Sequence, residues 1–266
     1  MAHVNEDLKT SLIEAAEAMS DAARTAILPL FRSIDLQTDN KDASDFDPVT
    51  VADRNAELAM RAVLAELRPQ DAILGEEFGV KDGTSGLTWV LDPIDGTRGF
   101  ISGTPTWGVL IAVGDKAGPV LGVIDQPYIG ERFIGGLGMA EVNGPLGRSA
   151  LTTRRGRALA ECIIFTTFPE VGTTAEGAAF HRLAAQCKLT RYGMDCYAYA
   201  LVAAGQIDLV VEAGLQSYDI QAPIAVIEAA GGVVTDWDGG KVHMGGRVVA
   251  AATPELHAEA LNILNA

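Results

Sequence analysis

The chain has 266 residues and 48% hydrophobic content, enough for one large domain or two intimate lobes around a substantial core. Against 35 Asp+Glu it carries only 20 Lys+Arg, a formal charge of −15 that repels nucleic-acid phosphates and anionic lipid and leaves neither as an expected partner. Cys162, Cys187 and Cys196 have no CxxC spacing and leave one thiol over in any pairing, which argues against a disulfide framework.

No charged-then-apolar leader and no apolar run near 18 residues can be read, so a soluble, cytoplasmic protein is expected. The charge does not forbid a phosphorylated small substrate, because a bound divalent cation inverts the field locally.

In chain order, Leu8, Leu12, Ala15, Ala16, Met19, Ala23, Ile27 and Leu30 recur at helical spacing and predict an amphipathic helix from Asn5 to about Arg32. Residues 37–48 are polar, acidic and rich in turn formers, and read as a mobile loop that could close over a site. A second helix runs from Thr50 to about Leu67. Thr50 fits its N-cap, with Asp53 three residues on in a capping-box spacing. Asp53 either serves that cap or faces a metal pocket.

Ile73-Leu74-Gly75 reads as a short strand that opens into the acidic turn Glu76-Glu77. Trp89-Val90-Leu91 is a second strand, expected to end at Asp92 because Pro93 cannot donate to a ladder. Asp92, the Ile94 carbonyl and Asp95 then offer oxygens suited to a hard cation. The backbone N–H groups of Gly96 and Thr97 can hold a phosphate oxygen.

Val109–Val113 and Val120–Ile124 read as a hairpin, Glu131–Ile134 as another strand, and Asn143-Gly144 as a tight turn. The stretch 147–157 carries four arginines and marks the expected boundary between the two lobes of a single 1–266 catalytic domain. Beyond it, strands and helices alternate to a closing helix over Pro254–Asn265, the pattern of a layered α/β architecture.

Ser217-Tyr218-Asp219 begins one of these helices, with Ala222-Pro223 in its first turn, and the helix dipole alone would favour an acid at Asp219. Asp195, after Gly193-Met194, reads by default as the cap of another. The histidines show no HxH or HxxxH spacing, and neither a Gly-x-Ser-x-Gly elbow nor a Walker lysine is present. Any chemistry belongs to the carboxylates.

Taken together, Gly-Glu-Glu (75–77), Asp-Pro-Ile-Asp-Gly-Thr (92–97), and Tyr218-Asp219 with Pro223 and Gly231-Gly232 resemble the inositol monophosphatase-like family of Mg²⁺-dependent phosphatases over nearly the whole chain. Tyr218 departs from the family's usual Trp but leaves Asp219 in place. The resemblance implies an αβαβα sandwich, a homodimer, inhibition by Li⁺ and two or three Mg²⁺ ions. Glu76, Asp92, Asp95, Asp219 and the Ile94 carbonyl would be ligands. Asp53 would extend the network to a weaker third ion, and Thr97 with Glu76 would orient and deprotonate the attacking water.

Segments 95–103, 123–133 and 191–199 are most similar to the histidinol-phosphate phosphatases of that family. This implies hydrolysis of L-histidinol phosphate in histidine biosynthesis, with inositol phosphate or another small phosphorylated polyol as the alternative substrate. Asp195 and Glu212 stand at the family's substrate-reading positions, and two acids suit an ammonium and an imidazole better than hydroxyls alone. Arg98 would pair with the phosphate or brace its loop, with bracing favoured. A non-catalytic, metal-loaded interaction protein is the rival from another class, and retention of Thr97 argues against it.

Overall fold

The computed structural model describes residues 5–34, 38–40 and 48–266. Helix α1 (Glu6–Ile27) starts at Asn5, whose side chain accepts the Leu8 N–H at 2.8 Å, and buries Leu12, Ala15, Ala16, Met19, Ala23 and Ile27 along one stripe. It stops five residues short of the expected end. The chain turns there, and Arg32 takes a left-handed conformation with φ 60°.

Part of the segment read as a loop is ordered backbone: β1 (Thr38–Asn40) pairs antiparallel with β2 (Pro48–Thr50). Residues 41–47, on which the expected closure depends, lie outside the described residues.

The chain continues through α2 (Val51–Leu67), β3 (Ala72–Gly75), β4 (Gly79–Lys81), β5 (Thr88–Asp95), α3 (Thr97–Ile101), β6 (Gly108–Asp115), β7 (Gly118–Gln126), β8 (Glu131–Gly136), β9 (Met139–Gly144) and β10 (Gly147–Ala150). Then follow β11 (Ile163–Thr166), α4 (Thr174–Ala184), β12 (Leu189–Tyr192), α5 (Asp195–Ala203), β13 (Leu209–Leu215), α6 (Ser217–Ala229), β14 (Val233–Thr235), β15 (Gly246–Ala251) and α7 (Pro254–Leu264). Among the described residues no helix is long and apolar enough to cross a membrane.

Two sheets carry the architecture. An eight-stranded sheet runs β10-β9-β8-β7-β6-β5-β3-β4, and a five-stranded sheet runs β12-β11-β13-β15-β14. Strand periodicity decides which helices cover each face. On the large sheet Trp89, Leu91, Val109, Ile111, Val113 and Val123 point to α1 and α2, while Val90, Leu110, Ala112 and Ile124 point to α5 and α6. On the small sheet Val210, Val248 and Ala250 meet the same α5–α6 layer from its other side, and Leu209, Val211, Val249 and Ala251 face α4 and α7. The result is the expected five-layer αβαβα sandwich. Helix α6 lies close on the large sheet because Gly122 and Gly135 present no side chain: a Cβ there would fall 2.5 Å from the Ala222 carbonyl oxygen and 2.4 Å from the Val226 Cα.

Three local expectations change. β5 does not end at Asp92 but runs to Asp95, with a register shift between them: Asp92 opposes Leu110 and Asp95 opposes Gly108. Pro93 and Ile94 share the place of one residue, a β-bulge, so the missing Pro93 N–H costs no ladder bond. The tight turn falls after Asn143-Gly144, which remain in β9. Gly144 pairs with Gly147 (φ 91°), so Pro145-Leu146 make the turn. Pro223 sits in the second turn of α6, not its first.

Candidate active site

The bulge in β5 creates the site. Leu110 and Gly108 lie on the same face of β6, so an extra residue between their partners turns both Asp92 and Asp95 onto that face, toward the α5–α6 layer. There α6 supplies Asp219 from its first turn. Oxygens of Asp92, Asp95 and Asp219 lie within 4.8 Å of one another. Asp219 also serves its helix, accepting the Gln216 N–H at 2.7 Å, so the dipole reading and the cluster reading both hold.

Asp53 serves the cap weighed for it and turns its other oxygen toward Thr97. Its Oδ2 accepts the Thr50 N–H at 2.9 Å and the Thr50 hydroxyl at 2.5 Å, completing the capping box of α2. Its Oδ1 faces the Thr97 hydroxyl at 3.4 Å, and that hydroxyl also lies 3.1 Å from the Ile94 carbonyl oxygen. Glu76 follows the end of β3, which runs parallel to β5, and its carboxyl shares a hydrogen bond with Asp92. Five carboxyls thus converge from three elements and one turn.

The electrostatics record their crowding. Burial, then Glu76, Asp95 and Asp219, push the Asp92 carboxyl well above its ordinary range. Burial, then Asp195 and Asp219, do the same to Asp95. Asp53 is raised to about 6, chiefly by burial, with its Thr50 hydrogen bonds opposing and Glu76 adding. Acids that raise one another in this way form an oxygen-rich donor set that a hard divalent cation would complete.

Beyond the acids opens a cavity of about 310 Å³ lined by Gly96, Thr97, Arg98, Phe168, Asp195, Tyr199 and Glu212, among others. Asp195 does not cap α5 as expected. Its backbone is left-handed (φ 45°), its carboxylate accepts the Thr106 hydroxyl at 3.3 Å, and the N-cap residue Met194 makes no side-chain cap bond. The Cys196 N–H at that helix start instead donates to Asp95 at 2.6 Å. Burial and then Glu212 raise Asp195 to about 6.

Glu212 uses both oxygens inside the protein, Oε1 accepting the Thr167 N–H (2.9 Å) and hydroxyl (2.5 Å), Oε2 the Tyr199 hydroxyl (2.7 Å). Arg98 stacks its guanidinium 5.0 Å from the Phe168 ring centre, at the cavity rim, within electrostatic reach of Asp195. Sequence reading missed Thr106, Thr167 and Tyr199, polar residues that gain meaning only once the two sheets are stacked. It also missed Glu57 on α2, although Asp53 and Glu57 are four apart and so share a helix face.

The chain as a whole resembles known proteins. The chain is 41% identical over 259 residues to a chloroplastic protein of Arabidopsis thaliana described as the bifunctional phosphatase IMPL2, covering 93% of this chain and 73% of that one. A histidinol-phosphatase of Streptomyces coelicolor is 33% identical over 264 residues, covering 95% and 96%. The structure of an inositol monophosphatase from Zymomonas mobilis superposes with a TM-score of 0.85 at 38% identity, over the whole of both chains. Residues 8–266 match the inositol monophosphatase family, and the chain belongs to it.

Proposed function

We propose that this family phosphatase is a Mg²⁺-dependent phosphomonoesterase that hydrolyses L-histidinol phosphate to histidinol and phosphate, working as a single cytoplasmic catalytic unit in a homodimer. The observation that carries the substrate choice is the pair of acids, Asp195 and Glu212, in the wall of the cavity next to the Asp92–Asp95–Asp219 cluster. An alcohol bearing an ammonium and a titratable imidazole is matched by acceptors and negative charge. The likeness to a named histidinol-phosphatase supports the same choice.

In this reading Glu76, Asp92, Asp95, Asp219 and the Ile94 carbonyl would hold two Mg²⁺ ions, with Asp53 extending the set to a third. Bound there, Mg²⁺ supplies Lewis acidity toward the phosphoryl oxygens and lowers the pKa of water. The chain's own groups do the rest. The Thr97 hydroxyl, positioned between the Ile94 carbonyl and Asp53, orients the attacking water, and Glu76 takes its proton. The N–H groups of Gly96 and Thr97 hold a phosphoryl oxygen, and Arg98, braced on Phe168, keeps that turn in place. Asp195 and the edge of Glu212 read the leaving alcohol. Displacement of this kind needs positioning and charge neutralisation, not a covalent nucleophile.

Inositol 1-phosphate is the second reading, favoured by the likeness to the Zymomonas mobilis enzyme. The deciding experiment measures phosphate release from histidinol phosphate and from inositol 1-phosphate side by side, with Mg²⁺ and with EDTA. Fast, Mg²⁺-dependent turnover of histidinol phosphate is the expected result. Equal or faster turnover of inositol phosphate would overturn the substrate assignment, and turnover in EDTA would overturn the mechanism.

A further inference from the structure

Glu57 is fully buried on α2, one turn beyond Asp53, and nothing in the reaction described above uses it. A buried carboxylate is costly unless its oxygens are satisfied. Here they are satisfied by the backbone of the Glu76 turn. Oε2 accepts the Glu77 N–H at 2.7 Å and Oε1 the Phe78 N–H at 3.2 Å. The same Oε1 accepts Arg61 Nε at 2.7 Å, and the Arg61 guanidinium goes on to donate to the Gly79 carbonyl at 2.5 Å.

On the other flank, Gly75 is pressed so closely that a Cβ there would lie 2.0 Å from Glu57 Oε1. Residues 75 and 77–79 are therefore gripped by one side of α2. The remaining residue, Glu76, is tied through its own N–H to the Leu91 carbonyl of β5 at 3.1 Å and shares its carboxyl hydrogen bond with Asp92.

We infer that Glu57, with Arg61, is the positioning residue for Glu76: it fixes the turn after β3 so that the Glu76 carboxylate is aimed at Asp92 and Asp53 before any cation arrives. The inference rests on the metal-dependent reading above. Asp53, Glu57 and Arg61 follow one another at four-residue spacing, so a single face of α2 carries a site acid, its neighbour's brace and the counter-charge of that brace. Glu57 touches neither substrate nor cation. Its effect runs through the preorganisation of a ligand, an effect that typically costs about 10–100-fold in metal affinity when the supporting group is lost.

The test is Mg²⁺ binding to the substrate-free full chain by calorimetry, which reads the site without reading turnover. Glu57→Gln keeps the size but replaces an acceptor of main-chain N–H groups by a donor. It is expected to weaken Mg²⁺ binding about 10–100-fold. In a Glu76→Gln background the same change should cost little more, because the residue it aims is already disabled. Unchanged affinity in folded Glu57→Gln would overturn the inference, as would an equal loss with and without Glu76.

Should Glu57→Gln fail to fold, Arg61→Lys keeps a cation beside Glu57 while giving up the reach to Gly79. A smaller loss in the same direction is expected, and unchanged affinity would overturn the inference. Failure of the wild type to bind Mg²⁺ at all would instead remove the metal-dependent reading, and this inference with it.

Discussion

Asp95 accepts the main-chain N–H of Cys196 at 2.6 Å, although 101 residues separate them along the chain. The last residue of β5 thereby does for α5 what its own N-cap, Met194, does not. One carboxylate of the acid cluster is thus also the joint between the large sheet and the helical layer, and its two duties can be separated by substitution.

Asp95→Asn retains an oxygen for the Cys196 N–H but removes one of the crowded charges. Without metal, the variant is expected to be more stable than the wild type by about 1 kcal/mol, or roughly 2–4 °C in Tm for a chain of this size. Phosphate release in saturating Mg²⁺ should fall by more than about 100-fold. Thermal scans of the EDTA-treated proteins beside the activity assay check both halves. A variant less stable than the wild type would show that Asp95 is worth more as a joint than it costs as a charge.

A second carboxylate works purely in structure. Asp125 is fully buried on β7 and takes Arg24 from α1 in a bidentate pair at 2.7 and 2.8 Å, together with Arg132 from β8 at 2.7 Å. Asp125→Ala takes the bidentate acceptor from Arg24 and leaves Arg132 with only the exposed Asp21 at 2.6 Å, and is expected to cost about 3–5 kcal/mol. Arg24→Met leaves the Arg132 pair in place and should cost less. Urea unfolding of the two variants gives the comparison, and equal losses would contradict the shared role assigned to Asp125.

Asp71 predicts an acid limit to stability. Burial works against its ionisation, but hydrogen bonds from Arg68, Ser85 and the Trp89 indole outweigh it and hold the carboxyl below its ordinary value of 3.8. The unfolded chain therefore takes up the proton at a higher pH than the folded one. The stabilisation from Asp71 is fully present above the unfolded value and is lost as pH falls through the lower, folded value. Tm measured from pH 7 down to pH 3 should show the gap between wild type and Asp71→Asn narrowing at the acid end. A constant gap would mean that packing, not charge, sets the cost.

How far these relationships could be read in advance depends on their range along the chain. Asp92, Asp95 and Gly96 sit within one short motif, and the capping box of Thr50 and Asp53 spans a single turn. Such patterns carry their geometry in their spacing. The bulge at Pro93-Ile94 did not, because a proline reads as the end of a strand unless the partner register is known. Asp195 reads as a cap because that is the default role for an acid at a helix start, and nothing nearby in the sequence reveals that Asp95 already fills it. Glu57 was silent for a related reason. Its pairing with Arg61 four residues on reads as an ordinary helix-surface ion pair, and its other partners are main-chain N–H groups 20 and 21 residues away, which leave no mark in the identity of Glu77 or Phe78. The alternation of strands and helices is accessible because each element needs only a local period, 2 for strands and 3.6 for helices, whereas the five-layer order follows from the family resemblance and not from any period.

The last prediction concerns Gly96, where two separate demands exclude a side chain. Its φ of 83° is left-handed, which costs other residues roughly 1–2 kcal/mol. A Cβ would also lie 2.7 Å from the Asp195 Cγ and 2.9 Å from its Oδ2. Gly96→Ala must therefore displace either the Thr97 turn or Asp195. A shift of about 1 Å at a reacting centre is enough to cost on the order of 100-fold in rate, so phosphate release is expected to fall by at least that factor. The double variant Gly96→Ala, Asp195→Gly removes the collision while keeping the backbone demand. If the collision dominates, the double variant regains wild-type Mg²⁺ affinity in calorimetry while its KM for histidinol phosphate stays high, since the acid proposed to read the leaving alcohol is gone. If Mg²⁺ affinity stays as low as in Gly96→Ala alone, the left-handed turn itself is what the cluster depends on, and Asp195 is a neighbour of the phosphate loop without being what holds it open.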